Sequence, residues 1–396
     1  MSGEDAAGQA AADPAHSAPP IPAERLRPLS PAESARYARH LTLGEVGARG
    51  QQALRAARVL VVGAGGLGAP IIQYLAAAGV GHLSIIDDDV VELSNLQRQV
   101  IHREEDLGRP KAESARDAVL RLDHRASVRA LPERLGPENA LPLFEEHDVV
   151  LDGADNFATR YLSSDAAEIT GTPLVWGTIS QFSGQVSVFA PGRGPMLRDL
   201  YPDIPPADSV PSCAAGGVLG AVVGQVGALM AVEAIKLITG IGRPAIGRLL
   251  LLDALAATQR ELRVERDPGR PAVETLHEVA AACGTAAAAG SVPSISLAEL
   301  LDGPPELLLD IREPAERAGG HLPGDRALPL GRILEEGWAA VAPLAPQGRM
   351  VLYCRSGARS ERAVRRLLAD PALPAGIDVR SLSGGYLGYE ATTLHP

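Results

Sequence analysis

Arg58-Val-Leu-Val-Val-Gly63-Ala-Gly65-Gly66-Leu-Gly68-Ala69 is the stretch on which the fold turns. Val59 to Val62 read as a buried parallel strand, because a sheet covered by helices on both faces needs apolar side chains on both. Glycines follow without a gap, and the apolar run from Ile71 to Ala78 predicts a helix. Strand, glycine turn and helix start let backbone N–H groups close on a phosphate, where the helix N-terminus favours negative charge. A second strand, His82 to Ile86, ends in Asp87, where a carboxylate can hold a ribose hydroxyl. The first third of the chain is therefore expected to bind a nucleotide. The same glycine signature also marks NAD sites, so this stretch alone leaves the nucleotide open.

Composition narrows the partners. The 396 residues suit roughly two or three domains. A net charge of −11 argues against nucleic acid or an anionic membrane, which require a basic footprint. Three cysteines, none in a CxxC pair, make no disulfide framework and point to a reducing, cytoplasmic setting. The first residues are acidic and polar, unlike a signal peptide. Ala214 to Val232 is nearly long and apolar enough to span a bilayer. Glu233 and Lys236 follow on the same helix, with no second span or basic flank, so a buried helix is expected and no membrane.

Along the chain, residues 1–29 are Ala-, Pro- and Gly-rich and read as a disordered tail. Ser30-Pro31-Ala-Glu33 is a helix start with a capping pair, and its helix carries Arg36 and Arg39. A helix is expected from Pro110-Lys111 to Leu122, and a strand from Asp148 to Asp152. Ligands of open α/β sheets lie beyond the carboxyl ends of strands, so Gly63 to Gly68, Asp87/Asp89 and Asp152/Asp155 should share one rim. Pro173 to Ser180 and Gln185 to Ala190 read as further strands, the second antiparallel. Gly192 to Pro211 reads as a surface loop, and Arg248 to Asp253 as the strand that closes a domain spanning 30–264. Residues 265–293 look like a linker. Short buried strands then restart at Leu307 to Ile311, Met350 to Tyr353 and Ile377 to Leu382, predicting a small second α/β domain over 294–396.

Five motifs in order decide the nucleotide question. Gly63-Ala-Gly-Gly-Leu-Gly68, Asp87-Asp-Asp89, Ser94-Asn-Leu-Gln-Arg98, Gly108-Arg-Pro-Lys111 and Asp152-Gly-Ala-Asp155-Asn156 resemble the series of the MoeB/ThiF adenylyltransferases, bacterial relatives of ubiquitin-activating enzymes. The resemblance runs from about Arg36 to Leu262 and implies a Rossmann-like, mostly parallel sheet that uses ATP. Physical chemistry agrees. Adenylation brings a carboxylate onto the α-phosphate of ATP, so cations and N–H groups aimed at the phosphorus oxygens stabilise the transition state. Arg98 and Lys111 are candidates for that charge work, and Asp155 for Mg²⁺, a hard cation that prefers oxygen. The resemblance places Gly63, Gly65 and Gly66 against the phosphates, Asp87 and Asp89 near the ribose, and Ser94, Asn95, Gln97 and Asn156 around the nucleotide. It also implies that Arg39 reaches into a neighbouring subunit's site, hence a homodimer.

The second domain resembles a rhodanese, through Asp310-Ile-Arg-Glu-Pro-Ala-Glu316, Gly320-His-Leu-Pro-Gly324 and the loop Cys354-Arg355-Ser356-Gly357-Ala358-Arg359-Ser360. A cysteine after a strand, before a helix and between two arginines should be largely thiolate, and a loop of inward N–H groups would stabilise a persulfide anion. Phosphatases with a related loop carry their arginine six positions after the cysteine; Arg359 is five after Cys354, as in sulfur carriers. Cys213 lies before the glycine-rich helix, where relatives carry a cysteine that can bind the carrier covalently. Cys283 reads as incidental.

The resemblance implies a two-step enzyme. ATP would adenylate the C-terminal glycine of a ubiquitin-like sulfur carrier ending in Gly-Gly, and a Cys354 persulfide would convert it to a thiocarboxylate. The sulfur donor would be a small molecule or a cysteine desulfurase, and molybdopterin, thiamine, cysteine and natural-product routes all fit. Many relatives hold a structural zinc in two CxxC pairs, but the matching positions here read Met196-Leu-Arg-Asp199 and Pro268-Gly-Arg-Pro271, so no zinc is expected. Alternatives on this fold are an ATP-dependent dehydratase or ligase acting on RNA or a small acid, and a binding scaffold with one inactive domain.

Overall fold

In β1 (Arg58–Val62) every residue after Arg58 is buried, and the burial is two-sided. Val59 and Val61 join one core cluster while Leu60 and Val62 join another, as the period-two geometry of a strand between two helical layers requires. The computed structural model describes residues 21–204, 217–276, 279, 292–355 and 357–394. Cys213, Cys283 and Ser356 lie outside them. The chain divides into two units, Met1–Ala286 and Ala287–Pro396.

In the first unit β1 is joined by β2 (His82–Ile86), β3 (Ser127–Leu131), β4 (Val149–Asp152), β5 (Leu174–Ser180), β6 (Ser183–Phe189), β7 (Arg248–Asp253) and β8 (Thr258–Arg263). Their spatial order is β3-β2-β1-β4-β5-β6-β7-β8. Pairing is parallel from β3 across to β5 and antiparallel from β5 to β8. Among the described residues its helices are α1 (Pro31–Arg36), α2 (Ala38–Leu41), α3 (Gly47–Ala56), α4 (Gly68–Ala78), α5 (Lys111–Leu122), α6 (Pro137–Glu145), α7 (Phe157–Thr170), α8 (Leu197–Leu200) and α9 (Gly220–Thr239). The expected capping pair is present at α1, where Ser30 and Glu33 satisfy each other's backbone. Helix α9 is long and apolar enough to cross a membrane. Here it packs on α4, β5, β6 and α3, and its buried Glu233 accepts from the Ala245 N–H at 2.8 Å.

Three boundaries differ from the sequence reading. Residues 21–29 are not a free tail, because Ile21 is buried in the core and the Arg25 guanidinium donates to Asp148 at 2.8 Å and to the Ala56 carbonyl. The stretch after 192 is not wholly a surface loop, since α8 buries Leu197 and the preceding Met196. Residues 265–276 are not a linker. The Asp199 carboxylate, fully buried, takes the Arg270 Nε–H at 2.8 Å, and Glu168 takes a second Arg270 N–H at 3.1 Å. Beside this clamp Arg198 pairs with Asp165 at 2.8 Å, and Leu276 closes over the same core. Charged residues made the stretch look solvated, but they are paired under cover. Removing one partner of a buried pair strands the others, so Arg270→Ala should destabilise the first unit by about 3–5 kcal/mol. Urea unfolding of the full chain would read this; a loss under about 1 kcal/mol would mean that the clamp is only a surface contact.

The second unit has one parallel sheet of β9 (Ser294–Ile295), β10 (Leu307–Asp310), β11 (Arg326–Ala327), β12 (Arg349–Tyr353) and β13 (Asp378–Leu382), ordered β11-β10-β12-β13-β9. Its helices are α10 (Leu297–Asp302), α11 (Pro314–Arg317), α12 (Leu330–Glu336), α13 (Trp338–Val341), α14 (Ala358–Leu368) and α15 (Gly385–Leu394).

Candidate active sites

The registers Val62↔Ile86 and Val62↔Asp152 set the ends of β1, β2 and β4 side by side. Gly63, Asp87 and Gly153 therefore leave the sheet at one rim, as the strand pattern predicts. The glycine loop is tight: a Cβ on Gly68 would fall 2.0 Å from the Gly63 carbonyl oxygen, so any side chain there would force the loop open. Gly66 lies against Val223 of α9 and the Arg98 side chain.

Asp87 sits on this rim with both carboxylate oxygens engaged, accepting the Ala64 N–H at 2.7 Å and the Asp89 N–H at 2.9 Å. Each oxygen keeps a second lone pair that a ribose hydroxyl can use. Burial pushes its carboxyl up, and nearby Lys111 opposes the shift. Lys111 is itself nearly buried, its ammonium 2.8 Å from the exposed Asp89 carboxylate. Asp87, Asp88 and Asp89 bring carboxylate oxygens close together, but Asp88 pairs with Arg134 and Asp89 with Lys111, so the trio reads as a braced strand end.

The remaining candidates separate into exposed and structural groups. Ser94, Gln97, Asp155 and Arg39 are exposed, and the half-exposed Arg98 donates to the Ser94 carbonyl at 3.0 Å. Asn95 is buried and accepts the Glu92 N–H, while Asn156 caps α7 through the Thr159 N–H at 2.9 Å. In both amides the oxygen holds backbone, which leaves the NH₂ group as the donor that could face a nucleotide. Gln99 and His102 were not singled out by the sequence. Gln99 is buried beside Gly65, and its carbonyl oxygen has no partner among the described residues. His102 ties the Ala64 carbonyl (2.9 Å) to the Ser114 hydroxyl (2.8 Å), and burial pushes its imidazole down, keeping it neutral. No signal in the sequence separates them from the polar residues around them, because the groups they meet, Gly65, Ala64 and Ser114, come from other parts of the chain.

Asp152 is fully buried. One oxygen accepts the Ala154 N–H at 2.9 Å, and the other has no partner among the described residues. Burial pushes its carboxyl from the ordinary 3.8 up to about 6. A raised folded value means that the folded state keeps its proton longer, so stability falls as pH rises through this interval and stays lower above it. Asp152→Asn should therefore stabilise the protein at pH 8 by roughly 2–3 kcal/mol and have little effect near pH 4. Unfolding curves at the two pH values check this; equal effects would refute it.

In the second unit Cys354 follows β12 directly and is 1% exposed. Its sulfur accepts the Gly357 N–H at 3.2 Å, which is presented because Gly357 adopts φ +107°, open to glycine. Ala358 begins α14, and Arg355 is exposed. Arg359 does not face the sulfur alone: its guanidinium grips Glu316 in a bidentate pair at 2.6 and 2.7 Å. Part of the positive charge expected at Cys354 is thus balanced by Glu316. The rest of the opening motif braces the loop from below. Asp310 accepts from Arg312 at 2.7 Å, Arg317 at 3.1 Å and the Tyr353 hydroxyl at 3.0 Å, so the residue before Cys354 is locked.

A glycine cradle with lysine and carboxylates on one rim of the first unit, and a buried thiol loop in the second, are the features of a nucleotide-dependent sulfur-handling class. The chain belongs to the ThiF family, whose model matches residues 37–272, and a rhodanese-like domain matches residues 295–392. Over 362 residues it is 48% identical to the probable adenylyltransferase/sulfurtransferase MoeZ of Mycobacterium tuberculosis, covering 88% of this chain and 91% of that one. It is 50% identical over 241 residues to the sulfur carrier protein adenylyltransferase of Thermus thermophilus, covering 60% and 89% of the two chains. It is 40% identical over 409 residues to the adenylyltransferase and sulfurtransferase MOCS3 of Bos taurus, covering 95% and 90%. Among solved structures, E. coli MccB with ATP superposes with TM-score 0.52 at 21% identity, over 60% of this chain and 74% of that one, a likeness of fold.

Proposed function

We propose that this chain uses ATP to adenylate the C-terminal glycine of a ubiquitin-like sulfur-carrier protein ending in Gly-Gly, and makes its thiocarboxylate with sulfur carried on Cys354. The observation that carries the reading is the presence of both chemical centres on one chain. The glycine loop and α4 start would hold the triphosphate through N–H groups, and Lys111 and Arg98 would meet charge gathering at the α-phosphate. The carrier carboxylate attacks that phosphorus and pyrophosphate leaves. Mg²⁺, when bound, would neutralise phosphate charge, and the exposed Asp155 carboxylate suits this oxygen-seeking cation.

In the sulfur step the terminal sulfur of a Cys354 persulfide attacks the acyl carbon, and AMP leaves with the bonding pair. A second thiol then attacks the Cys354 sulfur of the acyl disulfide, releasing the thiocarboxylate and ending in a disulfide with Cys354. The original persulfide sulfur comes from a small-molecule donor or a cysteine desulfurase. Such chemistry suits a reducing cytosol.

The donor set argues against the zinc of relatives. Residues 190–204 and 264–276 contain neither Cys nor His, and a guanidinium sits where a metal would need anionic or neutral ligands. A homodimer is supported by the apolar face shared by α4 and α9. There Tyr74 and Val232 are exposed, and a cavity of about 240 Å³ is lined by His40, Tyr74, Ala77, Ala228, Ala231 and Val232. Arg39, beside His40, would then serve the neighbouring copy.

The test is ATP–pyrophosphate exchange with and without carriers ending in Gly-Gly, followed by intact-mass measurement of the carrier. Exchange should require the carrier; exchange indifferent to every such carrier would overturn the reading.

A further inference from the structure

Below the Cys354 sulfur lie two hydroxyls that no part of the mechanism above uses. Ser360, fully buried on α14, places its Oγ 2.7 Å from the Gly357 carbonyl oxygen, 2.7 Å from the Ser381 Oγ of β13 and 3.8 Å from the Cys354 sulfur. Ser381 is 1% exposed. A hydroxyl has one proton to give and two lone pairs to receive. The Gly357 carbonyl can only accept, so Ser360 spends its proton there and accepts from Ser381. The sulfur then faces a Ser360 lone pair, an arrangement that suits a thiol S–H and opposes a sulfur anion.

We propose that Ser360 and Ser381 form a hydroxyl relay that turns toward Cys354 when its Sγ is a thiolate, making Ser360 a positioning residue for the sulfur that takes up and gives back the persulfide. The inference rests on the proposed sulfur transfer. In the turned state Ser360 swings its proton from the Gly357 carbonyl to the sulfur and still accepts from Ser381. The exchange is favourable because a hydrogen bond to an anion is about twice as strong as a neutral one. The Gly357 carbonyl is not orphaned, since it keeps the Glu361 N–H at 3.0 Å. Burial of both serines leaves no bulk water to substitute, so the relay supplies a donor to complement the Gly357 N–H. Loading moves the negative charge from Sγ to the outer sulfur and unloading returns it, so each event would flip one hydroxyl without moving the backbone.

The charged and titratable groups around the sulfur are Arg355 on the loop, Arg359 of α14 in its pair with Glu316 of α11, Tyr353 of β12 and Tyr386 of α15, whose N–H caps the Cys354 carbonyl. They remain unchanged in serine variants, so a difference between variants reports the hydroxyls. The test is the pH profile of Cys354 carboxamidomethylation in the full chain, followed by mass spectrometry of the Cys354 peptide. Ser360→Ala should move the midpoint of the profile up by about one pH unit, a roughly tenfold slower reaction on its acid limb. Ser381→Ala should move it the same way by less, and Ser360→Thr should restore it. Profiles of Ser360→Ala and wild type that coincide, or a threonine variant that behaves as alanine, would overturn the relay. If Ser360→Ala fails to fold, Ser381→Ala decides the matter alone, no shift counting against the relay. Wild-type Cys354 that takes up no sulfur from any donor would defeat the proposed function, while the pH profile would still judge the relay.

Discussion

Cys354→Ala should abolish thiocarboxylate formation while leaving carrier-dependent ATP–pyrophosphate exchange within a factor of about 2. The sulfur atom is the group that must carry and surrender the persulfide, and alanine has nothing to replace it; nucleophile removal in such systems costs many orders of magnitude. The side chain is buried, but it fills little volume, and Gly357, Ser360 and the Asp310–Tyr353 bracing stay in place, so the cost in stability should be about 1 kcal/mol. Adenylation draws on the other unit's rim and needs none of these atoms. Intact-mass spectra of the carrier would show acyl-adenylate, or its hydrolysis product, without replacement of oxygen by sulfur. Loss of exchange together with sulfur transfer would show that the two centres are not divided as described.

Lys111→Ala should lower the exchange rate by about 10²–10³-fold. Its ammonium lies beside Asp89 and close enough to Asp87 to influence that carboxyl. It is a compact cation held with little access to water, where a charge acts more strongly than at the surface. ATP brings negative charge to the same rim, and the transition state adds more around the α-phosphate. Alanine leaves Asp87 and Asp89 without that cation, turning an attractive rim into a repulsive one. Arg103 provides the control, for it is exposed and paired with Glu105, and Arg103→Ala should leave exchange unchanged. A Lys111→Ala protein that unfolds normally yet exchanges within about threefold of wild type would remove Lys111 from the chemistry.

The central strands were legible because burial on both faces writes an uninterrupted apolar run, as in Val59 to Val62 and Val149 to Leu151. Elements whose burial is partial or absent were not. β8 is exposed at every residue and reads as Thr258-Gln-Arg-Glu-Leu-Arg263, held by its ladder to β7 rather than by packing. β3, with Arg129 in its middle, and the amphipathic helices α6 and α7 escaped for the same reason. At the site, Gly63, Asp87, Lys111 and Cys354 could be placed from motif order and strand ends. His102 and Ser381 could not, because their partners lie far along the chain and only folding brings them together. The segment 265–276 misled for a related cause: Arg270 looks like a solvent residue until Glu168 and Asp199 arrive around it.

That clamp also decides where the molecule can be injured. A joint built from carboxylates and guanidinium offers no thiol for an oxidant to attack. Among the described residues the one thiol is Cys354, so oxidation there should silence sulfur delivery while leaving this clamp, and the unit it ties together, intact.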